Sequence, residues 1–292
     1  MQTVDALTAM WNVLTNVWFL IFAIIIIIPV LQRYFINLAR RRILTRISRD
    51  RKSQVITLIH RQETIAFLGI PLSRYIDIDD SEEVLRAIRL TPPDTPIDLI
   101  MHTPGGIALA ATQIALALKA HPAPKRVIVP HYAMSGGTLI ALAADEILMD
   151  PHAVLGPVDP QMTDGMSSYA AASVAKAVKE KPVDKVSDKT LIMADNAQKA
   201  LDQMNSLIRE ILKGKCGEDR TALVLEELAS GKYTHDYPIF PERARELLGD
   251  CVRIGIPGSV YDLMDFYKAA SGARKPGVEY IPMAPPEREQ RR

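Results

Sequence analysis

Cysteine is scarce in this sequence, and neither sign of charge is in excess. Only Cys216 and Cys251 occur among the 292 residues, and their wide separation matches no metal-ligand spacing. Two isolated thiols fit a reducing compartment. The 35 Lys and Arg residues nearly balance the 34 Asp and Glu residues. The overall charge therefore does not favour nucleic acid as a partner.

Nucleotide-binding and metal-binding motifs are also missing. Gly105 and Gly106 form a glycine turn, but the Lys-Ser/Thr pair of a P-loop does not follow it, and no dinucleotide fingerprint occurs. Histidine, cysteine and acidic residues show no metal-ligand spacing. We therefore expect no cofactor and no metal. The chain contains no internal repeat, and its length suits one large domain or two small ones.

The N-terminus carries the long apolar run that the rest of the chain lacks. No charged residue occurs from Ala6 to Gln32, and residues 17–31 are almost wholly apolar. A helix that crosses a bilayer needs roughly 20 such residues. A secretory signal peptide is the alternative, but such a peptide has basic residues before its apolar run. Here the run is preceded by Asp5 and by no basic residue. Arginines follow it at Arg33, Arg40, Arg41, Arg42, Arg46, Arg49 and Arg51. The positive-inside rule then predicts a single-pass anchor with the following domain in the cytoplasm.

Composition divides the chain into four predicted segments. Residues 1–32 hold the transmembrane helix, and residues 33–61 form a basic juxtamembrane stalk. This stalk has apolar residues at helical spacing, so it either lies on anionic lipid or stands as a solvated helix. Residues 62–270 form the folded domain. Residues 271–292, rich in proline and charge, are expected to be disordered.

Strand and helix patterns alternate along the folded domain. This alternation is typical of an α/β fold with right-handed crossovers and a mostly parallel sheet. Residues 169–228 are predicted to be mainly helical. Strands are expected over 63–70, 96–102, 125–130, 146–149, 153–155 and 251–256, and further helices over 81–89, 107–120, 241–248 and 259–269, with another after residue 135.

Ser135 lies between a β-branched strand and an apolar helix, and two glycines follow it. A serine on such a corner is exposed, and the helix N-terminus behind it presents N–H groups to an anion. Acyl-transfer nucleophiles use this geometry, although a serine that merely caps a helix has the same local pattern. The glycine turn after the preceding strand should lie beside it at the carboxyl edge of the sheet. Backbone N–H groups of Gly105, Gly106 and Gly136 are therefore candidates for an oxyanion hole, which lowers an acyl-transfer barrier by about 3–4 kcal/mol.

Four motifs together resemble the ClpP/crotonase superfamily. They are Thr-Pro-Gly-Gly at residues 103–106, Met-Ser-Gly-Gly-Thr at 134–138, Ala-Ala-Asp-Glu-Ile at 143–147 and Leu-Gly-Pro-Val-Asp-Pro-Gln at 155–161. Within this superfamily, the chain is similar to signal peptide peptidase SppA, and most of all to the membrane-anchored serine dehydrogenase proteinase family. The resemblance covers residues 62–280. It implies a spiral of ββα units, serine peptidase activity on peptides or proteins, and assembly into a homo-oligomer.

The resemblance also suggests a base and an orienting acid for Ser135. ClpP has the order Ser, His, Asp, but here Asp159 stands where the histidine is expected, and His235 stands near the position of the aspartate. The two partners look exchanged in chain order, as in α/β-hydrolases. We expect Ser135 to attack, His235 to move the proton and Asp159 to orient the imidazole. Asp145 and Asp236 are second choices for the acid.

A lysine base is the competing prediction, because SppA-type enzymes use a Ser–Lys dyad. Such a lysine must be desolvated to lower its pKa from ~10.4. The candidates are Lys181, Lys185 and Lys189, which lie in a charged stretch, and Lys199, which lies on an amphipathic helix. His235 is preferred to these lysines. A catalytically inactive scaffold of the same fold and a crotonase-like thioester enzyme are the remaining alternatives.

Overall fold

The computed structural model describes residues 11, 15–60, 66–67, 70–71, 75–165, 167–268 and 278–280. The strand predicted over 63–70 falls largely outside these residues. Two short paired strands, β2 (Ala66–Phe67) and β3 (Ile70–Pro71), are described there.

A six-stranded sheet forms the centre of the molecule. Its strands are β1 (Gln54–Ile59), β4 (Ile97–His102), β5 (Lys125–Val129), β7 (Glu146–Met149), β11 (Val252–Ile254) and β12 (Val278–Tyr280). The strand order is β11-β7-β5-β4-β1-β12. Five strands run parallel, and only β12 is antiparallel to its neighbour within this sheet. Every residue of β1 and β4 is buried, as a parallel sheet covered on both faces requires. The predicted α/β fold is confirmed.

Helices cover both faces of this sheet. They are α1 (Thr15–Arg51), α2 (Ile78–Leu90), α3 (Ala108–Ala120), α4 (Gly136–Ala143), α5 (Ala171–Lys179), α6 (Asp188–Leu212), α7 (Glu218–Leu228), α8 (Pro241–Leu248) and α9 (Gly258–Lys268). Alternate residues of each strand point to opposite faces. Ile56 and Leu58 pack in the larger core with α2, α3, α4, α6, α7 and α8. Val55 and Ile59 face α1 and α9.

Two small strand pairs lie outside the main sheet. Strand β6 (Tyr132–Ala133) pairs in parallel with β8 (Val154–Leu155). Strand β9 (Gln161–Asp164) forms a hairpin with β10 (Ser167–Ala170). The predicted helical region therefore begins with α5 at Ala171, after this hairpin.

Helix α1 has two distinct parts. None of its apolar membrane-length window is buried in the protein, and the helix is a candidate membrane span by length and composition. At its other end, Leu44 and Ile47 are fully buried against Val260 and Leu263 of α9. The guanidinium of Arg40 also lies 4.7 Å from the ring centroid of Tyr267.

The folded domain therefore begins earlier than the predicted boundary at residue 62. Ile43, Leu44 and Ile47 of the predicted stalk pack in the core against the sheet and α9, whereas Tyr34 is exposed. Strand β1 (residues 54–59) is a central strand. Many arginines lie in the helix before β1 and dominate its sequence pattern. The burial of its apolar face depends on contacts with α9 and the sheet, so it could not be predicted from this segment. The predicted disordered tail differs at Val278–Tyr280, which pair with β1; the rest of 271–292 lies outside the described residues.

Candidate active site

Ser135 lies at the turn from β6 into α4, in an unusual backbone conformation. Its φ is 49° and its ψ is −116°, a region that L-residues rarely adopt and that costs on the order of 1–3 kcal/mol. Its hydroxyl makes no capping hydrogen bond to the first turn of α4. A serine that caps a helix normally has an extended backbone, and its hydroxyl accepts a hydrogen bond from an N–H group of the first turn. The geometry of this half-buried serine therefore matches a nucleophile corner rather than an ordinary helix cap.

The glycine turn after β4 lies directly against this corner. Gly105 has a φ of 104°, and a Cβ built on it would lie 2.8 Å from the Cβ of Ser135 and 2.9 Å from the carbonyl oxygen of Met134. Two backbone hydrogen bonds join the segments: Thr103 N–H donates to Tyr132 O (3.1 Å), and Met134 N–H donates to Thr103 O (2.9 Å). The two turns are adjacent, as their positions after neighbouring strands predict.

The three predicted oxyanion-hole glycines have different backbone partners. Gly105 N–H donates to the hydroxyl of Thr103 (3.2 Å), so this N–H already has an acceptor. Within the described part of the chain, the N–H groups of Gly106 and Gly136 donate to no backbone acceptor. The nitrogen of Gly106 lies 3.6 Å from the position of a Cβ on Gly136. Two unused donors therefore lie side by side next to Ser135.

Replacing Gly105 with alanine should impair the site more than the fold. A Cβ there is strained by the positive φ and also collides with the Ser135 corner. We expect kcat for a peptide substrate to fall by roughly 10- to 100-fold, as for misplacement of a catalytic group by about 1 Å. Gly214→Ala is the matched control, since Gly214 has a φ of 82° and nothing within 4 Å of an added Cβ. Equal losses in both variants would contradict the close-contact explanation.

Asp159 and His235 meet although 76 residues separate them. Asp159 lies between β8 and β9, and His235 lies in the loop between α7 and α8. Backbone hydrogen bonds between Leu155 and Ile239, and from Val158 N–H to Leu228 O (2.7 Å), join the two segments. These bonds hold the segment that carries Asp159 against the loop that carries His235.

The hydrogen bond between Asp159 and His235 has the direction that a histidine general base requires. His235 Nδ1 lies 2.8 Å from Asp159 Oδ1, and the Asp159 side chain is fully buried whereas that of His235 is 36% exposed. Gln161 Nε2 donates to the second carboxylate oxygen (2.7 Å). Because an ionised carboxylate only accepts, Nδ1 is the donor and Nε2 is left with its lone pair.

A buried carboxylate holds the loop that carries His235. Glu227 accepts hydrogen bonds from Lys232 (2.5 Å) and the Tyr233 hydroxyl (2.8 Å), and Arg243 Nη2 lies 3.0 Å from it. The hydrogen bond from Lys232, followed by those from Arg243 and Tyr233, lowers the pKa of Glu227 to about 2. Tyr233 also stacks on Tyr237 at 4.0 Å. Residues on both sides of His235 are therefore anchored.

The Glu227 contacts predict a pH-dependent effect of Glu227→Gln. Since the pKa of Glu227 is lower in the folded protein (about 2) than in an unfolded chain (~4.3), its stabilising effect is complete above the unfolded value and is lost as the pH falls towards 2. Thermal unfolding should show a lower Tm for Glu227→Gln at pH 6, with the difference narrowing between pH 5 and pH 2. A difference that is constant with pH would contradict this assignment. Glu226→Gln, an exposed neighbour on the same helix, is the control.

One cavity of about 790 Å³ contains the predicted triad. Ser135, Asp159 and His235 all line it, together with Gly106 and Gly136. Asp236, a second-choice acid, also lines the cavity, whereas Asp145 does not and instead lies 3.1 Å from Lys125. Most of the remaining wall is apolar and includes Ile107, Leu139, Val158, Met162 and Met204.

The candidate lysine bases lie away from this cavity. Lys181 and Lys185 are exposed, and Lys199 pairs with Asp195 on the surface of α6. Lys189 lies 2.8 Å from Asp164, and the hydrogen bond between them raises its pKa. A dyad lysine needs the opposite shift. The arrangement therefore favours His235 as the base.

A lysine with a lowered pKa does occur elsewhere among the described residues. Burial lowers the pKa of Lys215 to about 8. Its ammonium donates to the carbonyl of Leu142 (2.9 Å) and to that of Ala144, at the C-terminal end of α4. This lysine lines a second cavity, of about 370 Å³, which Ser135 does not line. Its sequence neighbourhood gave no signal for this environment, which depends on the packing of α6 against α4.

Potential metal ligands are not grouped in the part of the chain that the structure describes. No set of three or more His, Cys, Asp or Glu side chains there has an arrangement suited to a metal ion. The polar groups that line the cavity with Ser135 instead include a hydrogen-bonded carboxylate and imidazole, Asp159 and His235.

The fold and the strained serine beside paired backbone donors define a ClpP-like α/β protein with the layout of a serine hydrolase. A model of ClpP-like SDH-type serine proteinases matches residues 1–292. The chain belongs to this family, and the predicted membership is confirmed.

Two relatives from Methanocaldococcus jannaschii are similar over most of their length. The uncharacterised protein MJ0137 is 54% identical over 266 residues, which cover 91% of this chain and 91% of that protein. The uncharacterised protein MJ1495 is 51% identical over 266 residues, with coverage of 91% and 89%.

Solved structures are similar at lower identity. A 1510-N membrane-bound stomatin-specific protease has 19% identity and a TM-score of 0.43, and the match covers 66% of this chain and 79% of that one. ClpP1 from Listeria monocytogenes has 17% identity and a TM-score of 0.41, with coverage of 63% and 88%.

Proposed function

We propose that this protein is a membrane-anchored, ATP-independent serine endopeptidase that hydrolyses peptide bonds through an acyl-enzyme on Ser135. The observation that carries the proposal is the 2.8 Å contact between Asp159 and His235 in the cavity that Ser135 also lines. Membership of a serine proteinase family supports the reaction class. The absence of a nucleotide-binding motif from the sequence is the basis for ATP independence.

Each group has a defined task in this reaction. Ser135 Oγ attacks the peptide carbonyl carbon while His235 Nε2 takes the hydroxyl proton, and Asp159 stabilises the resulting imidazolium. The carbonyl oxygen becomes negative and accepts hydrogen bonds from Gly106 N–H and Gly136 N–H. The C–N bond then breaks as His235 returns the proton to the leaving amine. Water, deprotonated by His235, cleaves the acyl-enzyme and regenerates the serine.

The cavity walls favour apolar side chains beside the scissile bond. Leu139, Val158 and Met204 line the cavity, while its charged lining residues, Asp159 and Asp236, are both acidic. Burying a leucine-sized side chain there gains about 1.5–3 kcal/mol. Peptides with leucine or methionine before the scissile bond should therefore be cleaved faster than those with glutamate, and a preference for glutamate would contradict this assignment.

The N-terminal helix is proposed to place the active site at the cytoplasmic face of a membrane. Its apolar window is exposed on the protein and is followed by arginines that suit anionic lipid. Protease protection of sealed vesicles tests this orientation: digestion of the domain only from the cytoplasmic side is expected, and digestion only from the opposite side would refute it.

A homo-oligomer is proposed as the working form, because the family resemblance implies it. Native mass spectrometry of the full chain in detergent should show more than one copy per particle. A monomer at concentrations where the protein is active would refute this part of the proposal.

A fluorophosphonate probe tests the reaction class directly. The probe phosphonylates an activated serine, and peptide mapping by mass spectrometry identifies the modified residue. We expect one adduct, on Ser135. An adduct on another serine would refute the assignment of the nucleophile, and an unlabelled wild-type protein would refute the proposed function.

A further inference from the structure

Three buried polar side chains lie behind the glycine turn, and none of them lines the active-site cavity. His60 follows β1 and is fully buried, Thr103 follows β4 and is fully buried, and Asp80 in the first turn of α2 is 5% exposed. Buried polar groups of this kind are costly unless they are paired. Their contacts therefore indicate what they hold in place.

The three side chains form a continuous row of contacts. His60 Nε2 lies 3.0 Å from Asp80 Oδ2, a close contact without hydrogen-bond geometry, and His60 Nδ1 lies 3.0 Å from the Thr103 hydroxyl oxygen. The same Asp80 oxygen accepts the N–H of Asp77 (3.1 Å) as part of a capping box. The backbone N–H of His60 donates to the backbone carbonyl oxygen of His102 (2.7 Å). The imidazole thus contacts Thr103 through Nδ1 and lies against Asp80 of the helix through Nε2.

The row ends on the peptide group that precedes Gly106. The Thr103 hydroxyl accepts Gly105 N–H (3.2 Å) and lies 3.4 Å from Gly105 O, to which it is a donor. Gly105 O also accepts the N–H of Ile76 (2.8 Å). Since a peptide unit is planar, holding the carbonyl oxygen of Gly105 fixes the direction of the N–H of Gly106.

We propose that Thr103 and His60 are positioning residues for the oxyanion hole. They orient the Gly105–Gly106 peptide so that its N–H points at the developing oxyanion. This inference rests on the proposed peptidase function, in which Gly106 N–H is one of two donors. It assigns a task to a buried histidine that the triad does not use.

Substitutions of Thr103 separate positioning from packing. The Thr103 methyl carbon lies 2.7 Å from the position of a Cβ on Gly137, so this methyl group packs closely against the Ser135 turn. Thr103→Val retains the methyl and loses the hydroxyl, whereas Thr103→Ser retains the hydroxyl and loses the methyl. Positioning predicts damage in the valine variant and rescue in the serine variant. A merely structural role predicts damage in the serine variant at least as large.

The full-length protein should be compared in two assays. We expect Thr103→Val to lower both kcat for a leucyl-aminomethylcoumarin peptide and the rate of fluorophosphonate labelling by about 10- to 100-fold, with KM changed less than about twofold. Thr103→Ser should stay within about threefold of wild type. Amide hydrogen exchange of residues 103–108 should accelerate in the valine variant only.

Two histidine variants, His60→Gln and its control His121→Gln, provide a second test if Thr103→Val does not fold. His60→Gln should lower kcat about tenfold at unchanged KM, by loosening the same peptide. The control is His121→Gln, because His121 is also buried and its Nε2 lies 2.8 Å from Thr95 O at the opposite edge of the sheet.

Two outcomes would overturn the inference while leaving the peptidase assignment intact: wild-type rates in both Thr103→Val and His60→Gln, or equal losses in Thr103→Ser and Thr103→Val. An unlabelled wild type would overturn both proposals together.

Discussion

Replacing Ser135 with alanine is expected to lower kcat for peptide hydrolysis by about 10⁵- to 10⁶-fold and to abolish fluorophosphonate labelling, the scale of loss seen when a triad nucleophile is removed. The reason is that no acyl-enzyme can form. KM should change little, because the apolar walls and the N–H groups of Gly106 and Gly136 remain. Initial rates with a fluorogenic peptide measure the effect.

Glycine at the same position provides a second readout of the corner. Because φ of Ser135 is 49°, Ser135→Gly removes a strain on the order of 1–3 kcal/mol that Ser135→Ala retains. Both variants should be inactive, but the glycine variant should have the higher Tm. Ser168→Ala, on the exposed hairpin strand β10, is the control for nonspecific effects. Hydrolysis that persists in Ser135→Ala would exclude Ser135 as the nucleophile.

The second large effect is expected from Asp159→Asn, with a loss of about 10⁴-fold in kcat. An asparagine can donate its amide N–H to His235 Nδ1, which then carries no proton. The proton moves to Nε2, and the imidazole can no longer accept the serine proton. His235→Ala should show a loss of similar or greater size. Labelling rates and kcat are measured on the same preparations.

Lysine variants distinguish the histidine base from a Ser–Lys dyad. Lys185→Ala, Lys189→Ala and Lys199→Ala should each retain kcat within about twofold, since exposed ion pairs contribute little. A loss above 10³-fold in one of them, with activity retained in His235→Ala, would reverse the assignment of the base. Asp236→Asn is the matched control for Asp159→Asn, because both carboxylates line the cavity and only Asp159 lies within hydrogen-bond distance of His235 Nδ1.

Several elements could be predicted from local sequence because their determinants are local. Strands β4, β5 and β7 are short apolar runs, and the glycines at 105, 106, 136 and 137 mark the turns that follow two of them. Parallel strands bring these turns to one edge of a sheet. The adjacency of Ser135 and Gly105 therefore follows from strand order once the α/β pattern is identified.

Other features required packing between distant segments. The sequence pattern predicts a stalk for the apolar face of α1 and the strand at 54–59, since seven arginines dominate the local pattern and the covering helix α9 is some 200 residues later. The hydrogen bond from Gly105 N–H, a predicted oxyanion donor, to the Thr103 hydroxyl likewise depends on the folded turn. Neither outcome has a signature in the residues themselves.

The sequence alone determined the family, the α/β class, the candidate membrane span and the serine corner, since each depends on periodicity or on motifs of a few adjacent residues. Only the tertiary structure decided which polar groups line the same cavity as that corner. Asp159 and His235 come together through backbone hydrogen bonds between Leu155 and Ile239, and the lysines stay in solvent on α6 and the segment before it. Contacts between residues far apart in the chain depend on how whole elements pack, and that packing places an imidazole rather than an amine in the cavity that Ser135 lines.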